Sequence, residues 1–458
     1  MVHLDAPLSS HLLMANRQWA NFPFHPGKWP FFYGWMILLW SALGIVMSVP
    51  GQTMGVSVFT DPLIDALKIS RDELSLAYML GTIASSILLS WAGKLYDKYG
   101  ARPVALVSTI GLGLILLFLS QVDKFIFQFL QIESSILVVL VMFIAFLFLR
   151  FFGQGVLTLS SRNMMVEWFD KRRGFASGFS NVVVSLAFAS APVLLYFLIE
   201  RYTWRGAWIT MAIAAGVLFP VVVIVFFRNR PEDSGLTPDG NYVPSEKKKK
   251  NLFPVIRQFT LAEARRNYAF WIFALMLAMQ GLYITAFTFN LISIFDLAGY
   301  SGEVAIKIFQ PGAVIAVITT LVASSMSDHI QLRYLFYAKG IGACTAIVGM
   351  IFLAQWDIAF YMIIVGHGVM GGLFAVLVTV TWPRYYGREH LGAISGQSMM
   401  LMVFASAFGP ILFSSSLSYY GSYAPGAWVC FVVYGVLTIG AIWAHNPQIE
   451  IRRKMGVD

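Results

Sequence analysis

The stretch Gly93-Lys-Leu-Tyr-Asp97-Lys-Tyr-Gly100-Ala-Arg102-Pro103 is a short charged turn between two long apolar runs. The runs, residues 74–92 and 104–121, each approach the roughly 20 residues that a helix needs to cross the hydrocarbon of a bilayer. Gly100 suits a tight turn because glycine adopts backbone conformations that other residues avoid. The stretch therefore predicts a hairpin of two membrane-spanning helices.

The composition of the whole chain agrees with a membrane location. Of the 458 residues, 58% are hydrophobic and only 12% are charged, and the mean hydropathy is +0.71. A soluble domain of this length would have to expose much of that apolar surface to water. The net charge of +9 is spread over short clusters between the apolar runs, so no basic face for nucleic acid forms. The lipid bilayer is the expected surrounding, and nucleic acid is not an expected partner.

Apolar runs of spanning length recur along the chain. Six precede a polar linker and six follow it, so the sequence predicts an all-α membrane protein of twelve transmembrane helices in two six-helix bundles. The runs are 34–58, 74–92, 104–121, 135–158, 175–199, 207–227, 270–290, 304–325, 335–354, 358–380, 392–416 and 427–444.

Lysine and arginine are concentrated in alternate connections, which orients the chain, because basic segments resist translocation. We expect a multi-pass protein of the cytoplasmic (plasma) membrane with both termini in the cytoplasm. The predicted regions are an N-terminal tail (1–32), a first bundle (33–228), a cytoplasmic linker (229–268), a second bundle (269–444) and a C-terminal tail (445–458).

An internal repeat relates the two bundles. Four residues at the start of and within the fifth run recur at constant spacing in the eleventh, and the connection between the second and third runs of each half repeats an Asp and an Arg five residues apart. Matches in equivalent connections indicate pseudo-symmetric halves related by an axis along the membrane normal. The pairs are Gly174/Gly392, Ser177/Ser395, Gly178/Gly396, Pro192/Pro410, Asp97/Asp328 and Arg102/Arg333.

The charged turn resembles the G-x-L-x-D-x-x-G-x-[RK] signature of the major facilitator superfamily. The resemblance implies the major facilitator fold and a conformational latch, in which Asp97 accepts hydrogen bonds from a helix N-terminus of the opposite bundle. A charged turn that only fixes topology is the alternative. The implied latch residues are Gly93, Asp97, Gly100, Arg102, Asp328 and Arg333.

A second motif opens the fifth run and resembles the Y-F-x-K-R-R-x-L-A-x-G signature of monocarboxylate transporters and their oxalate/formate relatives. It implies transport of an organic anion. Those relatives carry basic residues inside spans 8 or 11, and some carry a lysine in span 1, whereas here only Lys307 lies near the outer mouth of span 8. The signature residues are Trp168, Phe169, Lys171, Arg172, Arg173, Ala176 and Gly178.

Two ionisable residues lie deep in the predicted spans. Arg150 is about 21 Å into the fourth span, so it either reaches the cytoplasmic interface or meets an anionic solute, backbone carbonyls or another partner in a wet cavity. His367 is near the midplane of the tenth span, where it either carries a proton or forms a neutral interhelical hydrogen bond. Because no Asp or Glu lies deep in a span, proton coupling would rest on His367 or the solute.

The superfamily resemblance places spans 1, 4, 7 and 10 around a central path. Their few amides, and one in span 8, either line that path or bond to neighbouring helices, since an unpaired amide in hydrocarbon is costly. These amide residues are Gln52, Gln154, Gln280, Asn290 and Gln310.

The sequence favours a secondary transporter that moves a small organic solute, with an organic anion such as a monocarboxylate as one candidate, by alternating access. Riboflavin or a drug-like compound is the alternative cargo, and a non-transporting nutrient sensor is the alternative function. Proton or anion coupling and a monomer are expected. Neither a phosphate-binding loop nor H-E-x-x-H nor G-x-S-x-G occurs, so no enzyme is predicted. Cys344 and Cys430 lie far apart, so no metal or cofactor is expected.

Overall fold

The computed structural model describes residues 21–240 and 253–454. Throughout these ranges the regular structure is helical and contains no strand, which confirms the predicted all-α fold. Most of the predicted N-terminal tail, the end of the C-terminal tail and the lysine run at 247–250 lie outside the described residues.

Twelve spans can be traced in the described residues. Ten helices are long and apolar enough to cross a membrane. The helix Arg173–Ile213 contains a break at Thr203, where φ is 62°, and this break separates two spans. The helix Ala424–Gly440 is shorter but apolar. Together these segments give six spans on either side of the linker.

The spans are numbered in chain order. Spans 1 to 6 are Gly34–Gly51, Arg71–Tyr99, Ala101–Leu119, Ser135–Trp168, residues 173–202 and residues 204–226. Spans 7 to 12 are Tyr268–Phe289, Phe309–Ser327, Leu332–Ile351, Ala359–Tyr386, Leu391–Tyr420 and Ala424–Gly440. Short helices are Thr53–Ser57, Thr60–Leu67, Val122–Lys124, Phe125–Phe129, Leu261–Arg265, Leu291–Leu297, Gly302–Lys307 and Pro447–Lys454, with single 3-10 turns at Pro26–Lys28 and Pro231–Ser234.

The two bundles pack together through two pairs of helices, span 2 against span 11 and span 5 against span 8. Glycines allow these close approaches. A Cβ atom at Gly93 would overlap the carbonyl oxygen of Gly392, and one at Gly396 would lie 2.9 Å from the Leu89 carbonyl oxygen. The end of the molecule at which Asp97, Asp328 and the linker lie is called the linker face below, and the opposite end is the far face.

Span 4 differs from the prediction. It continues to Trp168 rather than stopping near residue 158, with a π-helical segment at Arg150–Leu157. The polar residues Ser160, Ser161, Arg162 and Asn163 lower the hydropathy of the last three turns, but these turns are covered by protein rather than lipid. Arg162 therefore lies within a helix instead of in a connecting loop.

Candidate functional site at the contact between the bundles

Asp97 joins the two bundles at the linker face. Its carboxylate accepts hydrogen bonds from the backbone N–H groups of Gly392, at 2.7 Å, and Ala393, at 2.8 Å. Both groups belong to the first turn of span 11, where N–H groups lack helical partners and the helix dipole favours an anion. The last turn of span 2 is thereby bound to the opposite bundle.

Asp328 makes the related contact from the second bundle to the first. Its carboxylate accepts a hydrogen bond from the backbone N–H of Gly174, in the first turn of span 5. Arg384 also pairs with Asp328, at 3.3 Å. Burial raises the pKa of Asp328, while the positive charges of Arg384 and Arg173 act against that rise.

These two contacts involve equivalent positions of the internal repeat. Gly174 and Gly392 occupy equivalent positions, and each meets the aspartate of the other half. Glycine is needed at both places: a Cβ atom at Gly174 would lie 2.9 Å from Oδ2 of Asp328, and one at Gly392 would lie 2.7 Å from Oδ1 of Asp97. The bundles therefore exchange matching carboxylate-to-helix contacts.

A charged cluster covers the same junction. Glu167, at the end of span 4, is 1% exposed, and its backbone carbonyl accepts a 2.5 Å hydrogen bond from Arg388. The Glu167 carboxylate lies 3.5 Å from both Arg388 and Arg230. Arg388 also pairs with Glu232 at 2.9 Å. The linker thus lies across the junction between the bundles.

Three further hydrogen bonds join the bundles nearer the membrane interior. Asn163 donates to Ser395 at 2.8 Å, and Ser90 donates to Gln397 at 3.2 Å. Asn181 of span 5 donates the third hydrogen bond to the backbone carbonyl of Ala375 in span 10, at 2.7 Å. All the hydrogen bonds between bundles that the structure describes lie in the linker-side half of the spans. This conformation is therefore closed at the linker face.

The two predicted latch arginines remain within their own halves. Arg102 donates to the carbonyl oxygens of Phe227, at 2.7 Å, and Phe22, at 2.8 Å. Arg333 bonds to His445 at 3.0 Å. Because these side chains reach the chain segments beside them, they fix the segments that enter and leave each bundle, while Asp97 and Asp328 make the contact across.

The span 5 signature folds the junction of spans 4 and 5 onto the linker. Asp239, in the linker, accepts hydrogen bonds from the backbone N–H groups of Asp170, Lys171 and Arg172. Trp168 donates to a linker carbonyl at 2.8 Å. Of the remaining signature residues, Phe169, Arg173, Ala176 and Gly178 are buried. The motif has a local structural role in this conformation.

Comparison with known families identifies the scaffold. The model of the Major Facilitator Superfamily matches residues 38–410. The chain belongs to the major facilitator superfamily. This family consists of membrane transporters of small-molecule solutes, and the chain shares its multi-pass helical fold.

Individual superfamily members are distant. An uncharacterized transporter of the superfamily from Escherichia coli, YhjX, is 25% identical over 238 residues, which span 51% of this chain and 52% of that protein. The proton:xylose symporter XylE, solved with 6-bromo-6-deoxy-D-glucose, superposes with a TM-score of 0.65 at 14% identity, covering 90% of this chain and 95% of XylE. An outward-facing bacterial homologue of the iron transporter ferroportin superposes with a TM-score of 0.62 at 13% identity, covering 89% of this chain and 99% of the homologue. These similarities establish the fold, but they do not identify the solute.

Within this superfamily scaffold, Arg150 is bound inside the first bundle. Span 1 is interrupted by a 3-10 turn at Val49–Gly51, and the Arg150 guanidinium donates to the freed carbonyl oxygen of Gly51 at 3.0 Å. It also lies 5.1 Å from the ring centre of Tyr78. Arg150 is 2% exposed, so in this conformation it meets a backbone carbonyl rather than the membrane interface.

We expect Arg150→Gln to destabilise the first bundle, because the broken helix of span 1 loses a charge-assisted hydrogen bond worth about 1.5–3 kcal/mol. The midpoint of thermal unfolding in detergent should fall by about 3 °C or more. Arg201→Gln, at an exposed position, is the matched control. An unchanged midpoint together with weaker solute binding would instead assign Arg150 to the solute path.

His367 pairs with an aromatic neighbour in the second bundle. Its Nε2 atom lies 3.2 Å from the hydroxyl of Tyr283, and its ring centre is 4.4 Å from that of Phe287. The interhelical hydrogen bond that the sequence offers as one alternative is therefore present between spans 7 and 10.

The predicted amides do not converge on one point. Gln52 donates to Ser48 at 2.9 Å within the first bundle. Asn290 donates to the carbonyl of Ala286 and lies in a cavity at the far-face end of span 7. Gln280 and Gln154 each have a buried amide oxygen without a hydrogen-bond partner among the described residues, and Gln310 is exposed.

Two cations within the spans were not candidates from the sequence. Lys339, in span 9, is fully buried, and its Nζ donates to the carbonyl of Met276 at 3.1 Å. Arg162, which is half-buried, lines a small cavity between the bundles. Lys339 lies in a run of ordinary hydropathy and carries no motif, and Arg162 falls in the stretch that the hydropathy assigns to a loop. Inspecting cations next to span ends would have found Arg162.

Proposed function

We propose that this protein is a secondary transporter that moves a small organic solute across the cytoplasmic membrane by alternating access. The observation that carries the proposal is the matched pair of contacts from Asp97 to Gly392 and from Asp328 to Gly174. Contacts that lie only on one side of the midplane can be broken without unfolding either bundle. Two rigid bundles can then expose a central path alternately to each side.

The linker face is proposed to be the cytoplasmic face. Basic residues are concentrated there, as expected for segments that are not translocated. In this assignment both termini are cytoplasmic, and the conformation described here is closed to the cytoplasm. Opening requires loss of the aspartate contacts and of the Glu167 cluster with Arg388 and Arg230.

An organic anion, with a monocarboxylate as the first candidate, is the proposed cargo. Support comes from the resemblance of residues 168–178 to the monocarboxylate and oxalate/formate transporters. Proton coupling would use His367, whose partner Tyr283 lies on span 7 of the same bundle, or a proton carried by the solute. The solute and a coupling ion are the proposed partners of a monomeric transporter.

Uptake into proteoliposomes tests the proposal. Labelled lactate, pyruvate, oxalate, formate and riboflavin are supplied with and without a pH gradient, and empty liposomes are the control. We expect saturable flux of at least one carboxylate. Riboflavin flux without carboxylate flux would support the proposal of a transporter and contradict the proposal of an organic-anion cargo. Solute binding without any flux would identify a sensor.

A further inference from the structure

Arg162 lines a small cavity on the boundary between the bundles. The cavity is lined by Leu159, Arg162 and Asn163 of span 4, by Val378 and Trp382 of span 10, and by Ser395, Ser398, Met399 and Met402 of span 11. Its volume is about 20 Å³, which leaves room for about one water molecule. The cavity begins about one turn further into span 11 than Gly392, which binds Asp97.

Arg162 differs from the other arginines at this boundary. Arg173 pairs with Asp170, Arg384 with Asp328 and Arg388 with Glu167. Over the described ranges, the Arg162 guanidinium has neither a hydrogen-bond partner nor a carboxylate beside it. The residues that line its cavity include polar groups but no acid.

Arg162 is half-buried, and its charge is therefore only partly withdrawn from water. A guanidinium in that position is stabilised by a counter-charge or by hydrogen-bond acceptors. The partial negative charge at the C-terminal end of span 4 weakens beyond the last turn, and Arg162 lies six residues before Trp168. No carboxylate of the described residues neutralises Arg162 in this conformation, so its guanidinium is available to an anion that enters between the bundles.

The shape of the guanidinium indicates which partner fits. Its planar array of donors matches a carboxylate in a two-point hydrogen-bonded pair. Asn163 and Ser395, which bond to each other beside it at 2.8 Å, and Ser398 supply polar groups for a second oxygen of a small acid. Met399 and Met402 form an adaptable apolar wall for a short carbon chain.

We propose that Arg162 binds the carboxylate of the transported solute, a small organic acid, in the conformation that is open at the linker face. The inference rests on the proposed function and names its substrate class. In the closed conformation the cavity is too small for such an acid. Because spans 4, 10 and 11 come from different bundles, separating the bundles widens this cavity and admits the solute from the linker face.

This geometry links the affinity for the anion to the gate, meaning the aspartate contacts that close the linker face. A ligand that fits only the open conformation binds more tightly when that conformation is more populated. Asp97→Asn weakens the closed conformation, so it should tighten carboxylate binding at Arg162 severalfold. The same substitution in an Arg162→Gln background should give no such gain.

Equilibrium binding of labelled pyruvate, lactate, oxalate and formate to the detergent-purified full chain tests the proposal. We expect Arg162→Gln to weaken carboxylate binding about 10- to 100-fold, since a hydrogen-bonded charge pair contributes about 1.5–3 kcal/mol. Arg162→Lys should retain part of the affinity because it keeps the charge. Arg201→Gln is the control for loss of a positive charge, and elution as a single species on size exclusion establishes folding.

Three outcomes would overturn the inference. One is carboxylate binding by Arg162→Gln equal to that of the wild type. Another is an equal gain in affinity from Asp97→Asn with and without Arg162. The third is riboflavin flux by a wild-type protein that binds none of the four acids, which would leave the proposed transporter function standing. Absence of flux for every solute would instead count against the proposed function.

Discussion

Asp97→Asn is expected to slow solute flux at least about tenfold while leaving solute affinity unchanged or tighter. The carboxylate accepts two N–H groups from the first turn of span 11. An asparagine offers one acceptor oxygen and turns its NH₂ toward the other N–H group. Losing one charge-assisted hydrogen bond weakens the closed conformation by about 1.5–3 kcal/mol, which is about a 10- to 100-fold shift in population.

The measurement is initial-rate uptake in proteoliposomes beside equilibrium binding in detergent, for the same preparations. Asp357→Asn is the matched control, because that aspartate is exposed on the connection between spans 9 and 10. Equal losses of affinity and rate in a well-folded Asp97→Asn protein would show that Asp97 acts on the solute site instead of the gate.

Gly93→Val is expected to abolish transport almost completely. A Cβ atom at this position would overlap the Gly392 carbonyl oxygen, and the next nearest atoms also belong to the backbone of span 11. Backbone atoms cannot move aside as a flexible side chain can, so spans 2 and 11 must separate. The linker face should then remain open, and the cycle should stop because the closed conformation is not reached.

Gly435→Val serves as the control for adding a branched side chain within a spanning helix. A Cβ atom at Gly435, in span 12, meets no atom within 4 Å. Its uptake should stay close to the wild-type rate. Normal uptake by a folded Gly93→Val protein would mean that close packing of spans 2 and 11 is not required in the cycle.

The sequence predicts much of this architecture because lipid imposes simple rules. Apolar length indicates the spans, and the matching of Gly174 with Gly392 indicates two related halves. The contact of Asp97 with a helix N-terminus is implied by the resemblance of its motif to the superfamily signature, and the helix dipole gives the physical reason for it. Apolar length and the internal repeat are therefore enough to predict the spans and the two related halves.

Three features depend on contacts that only the folded chain provides. Hydropathy ends span 4 too early, because Ser161 packs against Gly44 of span 1 and Asn163 bonds to Ser395 of the second bundle, so these polar residues meet protein instead of lipid. The charged turns suggest a common role for Arg102 and Arg333, but backbone carbonyls and His445 lie closer to them than the opposite bundle. The break in span 1 falls at the local helix breaker Pro50-Gly51, but only the folded chain shows that Arg150 is the side chain that bonds to the Gly51 carbonyl.

Distance measurement between spin labels across the linker face tests the central claim most directly. Labels at Lys98→Cys and His329→Cys, two exposed positions on opposite bundles, are placed in a Cys344→Ala, Cys430→Ala background. The account predicts a dominant short distance in this protein and a dominant longer distance when Asp97→Asn and Asp328→Asn are added. The same distance distribution in both proteins would contradict a gate held closed by the paired aspartates.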